Sequence, residues 1–254
     1  MKDLLGLPVL ASKHGKDVDQ LIIYVHLLML VLFVGWIIYF AYALFRFRAS
    51  KSPKADYAGA KTHLSTWAEV GVAVVEGVLL IGFAVPLWAK VVDQPPKEGE
   101  GTPIRVIAQQ FAWNARYPGK DGVFGKQDIK LLAPDNIWAV DLKDAQGKDD
   151  FTTYNDIHVP VNKPVLIYLS SKDVIHSFKV IALRVTQDAI PGMMIPVWFT
   201  ATIPGRYQIN CAQLCGNGHY NMSAGFLTIE SVAAFDAWVA EKSKPSGAAP
   251  ASFE

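Results

Sequence analysis

Cysteine is scarce in this chain, with two residues in 254, so a disulfide framework of the kind that staples small secreted domains is excluded. Charge is scarce too. Only 19% of residues are Asp, Glu, Lys or Arg, and 24 basic against 23 acidic side chains leave a formal net charge of +1. Without a general basic field, nucleic-acid binding drops out. Glycine (19) and proline (15) stand at ordinary levels, which removes collagen-like and low-complexity readings, and no internal repeat is visible. What abounds is apolar. Hydrophobic residues make up 51% of the chain and the mean hydropathy is +0.21, so part of it is expected in membrane lipid.

Leu21 to Phe45 run without a charge, between Asp19 and Arg46. At 1.5 Å per residue that helix is roughly 37 Å long, enough to cross a hydrocarbon layer of about 30 Å with some tilt. His26 reads as an interfacial or helix-facing residue. A second span is expected over Trp67 to Ala89, with Trp67 and Trp88 as interface anchors. It carries Glu69 and Glu76. An intramembrane acid costs about 2.5–3.5 kcal/mol on insertion scales, so each should face protein or water, and the hairpin expects a membrane partner. Between the spans, Arg46, Arg48, Lys51, Lys54 and Lys61 oppose a lone Asp56. The positive-inside rule places that loop in the cytoplasm, and both termini in the periplasm of a bacterial inner membrane. Leu4 to Ala11 is short for a signal h-region and is broken by Pro8, so cleavage there is the lesser expectation.

The expected organisation is a periplasmic segment (1–20), a transmembrane helical hairpin (21–90), a Pro-rich acidic linker (91–102), a β domain (103–242) and a disordered tail (243–254). In the β domain, strands are expected near 104–112, 137–141, 151–158, 164–170, 178–185, 196–202, 206–211 and 225–230. Many short strands at this spacing predict an all-β sandwich or barrel. A closing helix over Ser231 to Lys242 puts Val232, Phe235, Trp238 and Val239 on one face.

Both cysteines lie in one twelve-residue run, Cys211-Ala-Gln-Leu-Cys215-Gly-Asn-Gly-His219-Tyr-Asn-Met222. Cys215, His219 and Met222 at the end of a strand, with His176 upstream, supply the thiolate, two imidazoles and weak thioether of a mononuclear blue-copper site. Cys211 adds a second thiolate, for which one copper has no use. Two thiolates bridging two soft ions, with one histidine on each and Met222 as a weak ligand on one of them, account for all five residues, and the main-chain carbonyl of Gln213 serves the other ion. Such a site leaves no open position for substrate and moves single electrons. The bland alternative is a disulfide or redox pair.

The CAQLCGNGHYNM run resembles the binuclear copper A loop of subunit II of haem-copper cytochrome c oxidase, and SSKDVIHSF and QDAIPGM stand at matching places. The resemblance implies a cupredoxin-like copper A domain behind the hairpin. It implies electrons passing from a cytochrome c type donor to the copper pair, then to haem in subunit I, where O2 is reduced to water with proton translocation. His176, Cys211, Cys215, His219, Met222 and the Gln213 carbonyl match the family's copper ligands. The family has Glu where Gln213 stands, and that carboxylate helps bind magnesium at the boundary with subunit I, so a weakened or absent interfacial magnesium site is expected. Glu69, 17 residues before Pro86, matches a glutamate at the mouth of a proton channel shared with subunit I; Glu76 has no counterpart. Phe111 and Trp113 stand in the aromatic run through which electrons enter, and Asp173 and Asp188 at docking positions, although Ala112 breaks the run and Lys172 sits beside Asp173. Residues 91–254 carry 15 basic and 17 acidic side chains, so steering of a basic soluble donor is weak. A donor that is tethered or held in a supercomplex is expected, with soluble cytochrome c as the alternative. With no C-x2-C-H site, the chain is expected to carry no haem. The rival reading is a membrane-anchored copper chaperone for oxidase assembly, which would have one span and a thioredoxin-like alternation of β and α.

Overall fold

The computed structural model describes residues 4–54, 57–58, 62–97 and 99–244. Asp56 and Lys61 of the interhelical stretch, and the tail from 245 on, lie outside them. Two compact units are present: Met1–Leu7 with Asp17–Asp93, and Pro8–Lys16 with Gln94–Glu254.

The first unit is helical. Helix α1 spans Gly15–Arg46. Helix α2 (Leu64–Leu79) runs through a π-turn at Leu80–Ala84 into α3 (Val85–Val92), giving one 29-residue helix. Pro86 has no N–H to give the carbonyl four residues back, and the wider turn falls at that break. Both helices outrun the apolar segments that predicted them, α1 by the mostly polar Gly15–Gln20 at its start and the second helix by three residues at each end. Asp17 in the first turn of α1 suits the helix dipole, and its carboxylate pairs with Lys90 of α3 at 3.0 Å. Large side chains such as Trp36, Phe40 and Ile81 remain exposed along the spans. That surface demands lipid or partner helices.

The second unit is a β-sandwich. Its larger sheet has the order β3 (Phe151–Tyr154), β2 (Ala112–Tyr117), β1 (Thr102–Gln109), β5 (Pro164–Ser171), β8 (Ile195–Thr200), antiparallel except for the parallel β1–β5 pair. Two three-stranded sheets complete it: β4 (Asp156–Pro160), β11 (Phe226–Glu230), β9 (Gly205–Gln208), and β10 (Asn210–Cys211), β6 (His176–Val180), β7 (Val185–Ala189). Inward residues alternate along the strands, with Ile104, Val106 and Ala108 of β1 against Val165, Ile167 and Leu169 of β5.

Several strand expectations need correction. The run 137–141 forms no strand; among the described residues, an isolated bridge between Gln127 and Val140 is its only ladder contact. The run 151–158 splits at Asn155 (φ 55°), whose left-handed backbone no strand continues through, and the run 178–185 splits at a 3-10 turn, Ile181–Leu183, that closes on left-handed Arg184 (φ 55°). Strand β2 has buried side chains on both faces, including Arg116, which is 1% exposed and paired with the buried Asp150. A buried arginine with its carboxylate 34 residues away leaves no alternating pattern to read.

The N-terminal segment is also corrected. From Pro8 on it does not stand apart but joins the sandwich: Ala11 N–H donates to the Ala182 carbonyl at 2.7 Å, Thr202 N–H to the Ala11 carbonyl at 2.8 Å, and Ser12 Oγ to the Leu183 carbonyl at 2.6 Å. At the other end, Ser231 caps α4 (Val232–Lys242) by accepting the Ala234 N–H at 3.2 Å. Phe235 enters the core, and Trp238 stacks on His158 with ring centroids 4.2 Å apart. Ser243 is buried and bonds back to Val239, so the ordered chain runs past 242.

Candidate metal centre

Strand pairing assembles the first half of the site. His176 opens β6, and β10 pairs with β6 so that Cys211 lies opposite Phe178. Residues two apart on a strand share a face, so Cys211 and His176 point the same way. Cys211 Sγ is 4.0 Å from His176 Nδ1, and His176 Nδ1, Cys211 Sγ and Cys215 Sγ all lie within 4.8 Å of one another.

The loop after β10 assembles the rest. It turns at Gly216, where φ is 132°, a conformation open to glycine and closed to side-chain-bearing residues. It then enters a 3-10 turn, His219–Ala224. Cys215 Sγ comes 3.3 Å from His219 Nδ1, and Met222 is fully buried in the same turn. The Gln213 carbonyl accepts from Cys211 Sγ at 3.0 Å, so it too faces the thiols. Cys215 and His176 are buried and Cys211 half-buried, both cysteines as free thiols.

The surroundings fix these groups. Asp173 Oδ1 accepts from His176 Nε2 at 2.9 Å, which leaves Nδ1 aimed at the thiols, the carboxylate–histidine arrangement that orients metal-binding imidazoles. Burial works to raise the Asp173 carboxyl, but the bonds from His176 and from the N–H groups of Gln110 and Val174 hold it below the ordinary carboxylate range. Burial pushes the Cys215 thiol up to about 11, and the neighbouring Cys211 adds to the shift. A thiol held protonated binds metal only by releasing its proton. The Ser177 N–H points at Cys211 Sγ at 3.5 Å, and the Trp113 indole N–H donates to the Met222 carbonyl at 2.9 Å.

Two thiols, two imidazole nitrogens and a carbonyl come together here, and the thiol and imidazole donors suit copper. Residues 102–232 match the family described as Cytochrome C oxidase subunit II, periplasmic domain. The chain belongs to the cytochrome c oxidase subunit II family. It is similar to the alternative cytochrome c oxidase subunit 2 of Bradyrhizobium diazoefficiens, 34% identical over 217 residues that cover 85% of this chain and 76% of that protein. It is 28% identical over 227 residues to cytochrome c oxidase subunit 2 of Alkalihalophilus pseudofirmus, covering 87% of this chain and 57% of that longer protein. Among solved structures, the periplasmic domain of subunit II of cytochrome oxidase from Bradyrhizobium japonicum matches at 28% identity with a TM-score of 0.39, over 56% of this chain and 92% of that one. As a subunit II, the chain is part of an oxidoreductase complex, and its His176–Cys211–Cys215 cluster fits a copper A centre. Two candidate membrane helices and a periplasmic-type domain suit a bacterial membrane subunit.

Of the residues expected at the donor surface, Trp113 lies below it. Trp113 is fully buried beneath the site, pointing into the core from β2, while Ala112 before it is buried on the strand's other face. Phe111 is half-buried, its ring packed under Gly216 and Gly218. Asp173 is engaged by His176 and Gln110, and Asp188 sits on β7 opposite Ser177. Glu69 and Glu76 both lie exposed on α2, seven residues apart and so on one face, with no hydrogen bond or ion pair among the described residues. Sequence reasoning missed Gln110 and the Trp113 N–H as supports of the site. The glycines of Cys215-Gly-Asn-Gly were the available signal: a Cβ at Gly218 would lie 2.4 Å from the Phe111 ring.

Proposed function

We propose that this chain is the electron-transfer subunit of a haem-copper terminal oxidase, taking electrons from a cytochrome c type donor at a binuclear copper A centre and passing them to haem in subunit I. O2 reduction and the coupled proton translocation take place beyond this chain. The observation that carries the reading is the twofold donor set, in which each thiol has its own imidazole: Cys211 with His176 and Cys215 with His219. Bound there, a copper pair supplies one-electron redox chemistry. His176, Cys211, Cys215, His219, Met222 and the Gln213 carbonyl hold it; Asp173 orients His176; burial of His176, Cys215 and Met222 keeps water from the ligands. A copper chaperone is less well supported, since the β-sandwich places His176 before the cysteines and two helices, not one, have spanning length.

The remaining assignments follow from that reading. Gln213 presents a neutral amide where a hard cation needs a carboxylate, so the interfacial magnesium site is weak or absent. Growth on manganese, followed by a search for its EPR signal in the purified complex, is expected to give none; a normal interfacial signal would refute it. Glu69 serves as the mouth of a proton channel, the hairpin docks on subunit I and other oxidase subunits, and the interhelical loop is cytoplasmic while both termini and the copper domain are periplasmic. Stopped-flow reduction of the complex by a cytochrome c donor tests the electron route. The absorbance of the copper site should bleach before haem is reduced, whereas haem reduction at an unchanged rate in Cys211→Ser would overturn the route.

A further inference from the structure

Gln110 and Phe111 form the short turn between β1 and β2. Gln110 reaches both halves of the metal centre. Its side-chain Nε2 donates to the Cys215 carbonyl, 105 residues away, at 2.6 Å. Its backbone N–H donates to Asp173 Oδ2, 63 residues away, at 2.7 Å, and Asp173 turns its other oxygen to His176 Nε2 at 2.9 Å. One residue thus bonds in one direction to the loop that bears Cys211, Cys215, His219 and Met222, and in the other to the carboxylate that orients His176. The fit is close. A Cβ on Gly216 would lie 2.8 Å from Gln110 Nε2 and 3.2 Å from the Phe111 ring, so the loop backbone rests directly on this dipeptide.

The β6–β10 pairing holds Cys211 near His176, but it ends at Cys211, and Cys215 lies four residues beyond it in the loop. Hydrogen bonds to the ligands' own partners, which lock ligand geometry, are what keep such a site from loosening. Resting on the reading of these residues as copper ligands, we propose that Gln110 is a positioning residue, tying Cys215 to the Asp173–His176 pair so that both ligand sets hold one arrangement as an electron arrives and leaves. Its amide suits the task. The Nε2–H donates to a carbonyl that metal binding leaves free, and a neutral side chain brings no charge beside the thiolates.

The test uses the full oxidase complex with Gln110→Leu and Gln110→Glu, which both remove the N–H donor at nearly constant volume. Copper per chain, the EPR line shape of the site and the rate of copper loss to a chelator are read for each. Normal copper content, a broadened or heterogeneous signal and copper loss faster by about tenfold are expected, the factor equivalent to about 1.4 kcal/mol. A wild-type line shape and loss rate in either assembled variant would overturn the proposal. Amide hydrogen exchange at Gln110 in the wild-type complex tests it without substitution: protection should persist after copper is stripped, and rapid exchange would contradict the tie. A wild-type complex without copper at these ligands would sink the ligand reading itself, whatever Gln110 does.

Discussion

The indole N–H of Trp113 donates to the main-chain carbonyl of Met222 at 2.9 Å, and both side chains are fully buried. The aromatic core and the metal loop are therefore one packed unit. Trp113→Phe keeps most of the packing but removes that donor and leaves the buried carbonyl only the Gly225 N–H at 3.5 Å, a loss of about 0.5–1.5 kcal/mol. Thermal unfolding of the variant should begin below that of the wild type; an unchanged midpoint would show that the bond contributes nothing.

The buried pair of Arg116 and Asp150 fastens the long segment between β2 and β3. Gly125 is tied to both, its N–H donating to Asp150 and its carbonyl accepting from Arg116. Asp150→Ala strands a guanidinium in the interior, a loss of about 3–5 kcal/mol. Replacing both, Arg116→Met with Asp150→Leu, should restore most of it. A double variant as unstable as the single one would mean that lost shape, not the orphaned charge, is responsible.

Gly218→Ala drives a methyl group into the Phe111 ring, 2.4 Å away. The loop must shift, and with it His219 one residue on. We expect reduced copper retention in this variant and partial recovery when Phe111→Leu is added, the non-additivity of neighbours in contact. Copper analysis after gel filtration reads both, and strictly additive losses would contradict the contact.

Asp144 offers a pH signature outside the site. Its carboxyl accepts the Lys126 N–H at 2.8 Å, and that bond, helped by the N–H groups of Gln146 and Ala145, holds it below its ordinary 3.8. A carboxyl lowered in the folded state contributes stability above about pH 3.8 that is lost as pH falls through its folded value. An NMR titration should therefore place the Asp144 midpoint below 3.8, and in Asp144→Ala the Lys126 amide should exchange faster at neutral pH. A midpoint at or above 3.8 would be contrary to the structure.

Much of this was legible in the sequence, for identifiable reasons. The first span shows as an uncharged run and the second as an apolar run with two acids, Glu69 and Glu76, and the Cys211–Met222 run is compact enough for its donors to be read by spacing. The β-sandwich follows from short runs between turn residues. Splits at Asn155 and Arg184 were hidden because a left-handed residue leaves no mark on hydrophobic alternation. Strand β2 was hidden because its buried Arg116 is explained only by a distant carboxylate. The support of the site was hidden most of all: Gln110, Asp173 and Cys215 meet through bonds spanning 63 and 105 residues, and nothing local in Gln-Gln-Phe-Ala announces them.

In the proposed centre, Cys211 and Cys215 bridge two copper ions capped by His176 and His219. The decisive measurement is metal analysis of the purified complex, with the copper contributed by this chain read by EPR. Two coppers at this site sharing one unpaired electron are expected. A single copper there, or a disulfide between Cys211 and Cys215 with no metal, would contradict that assignment.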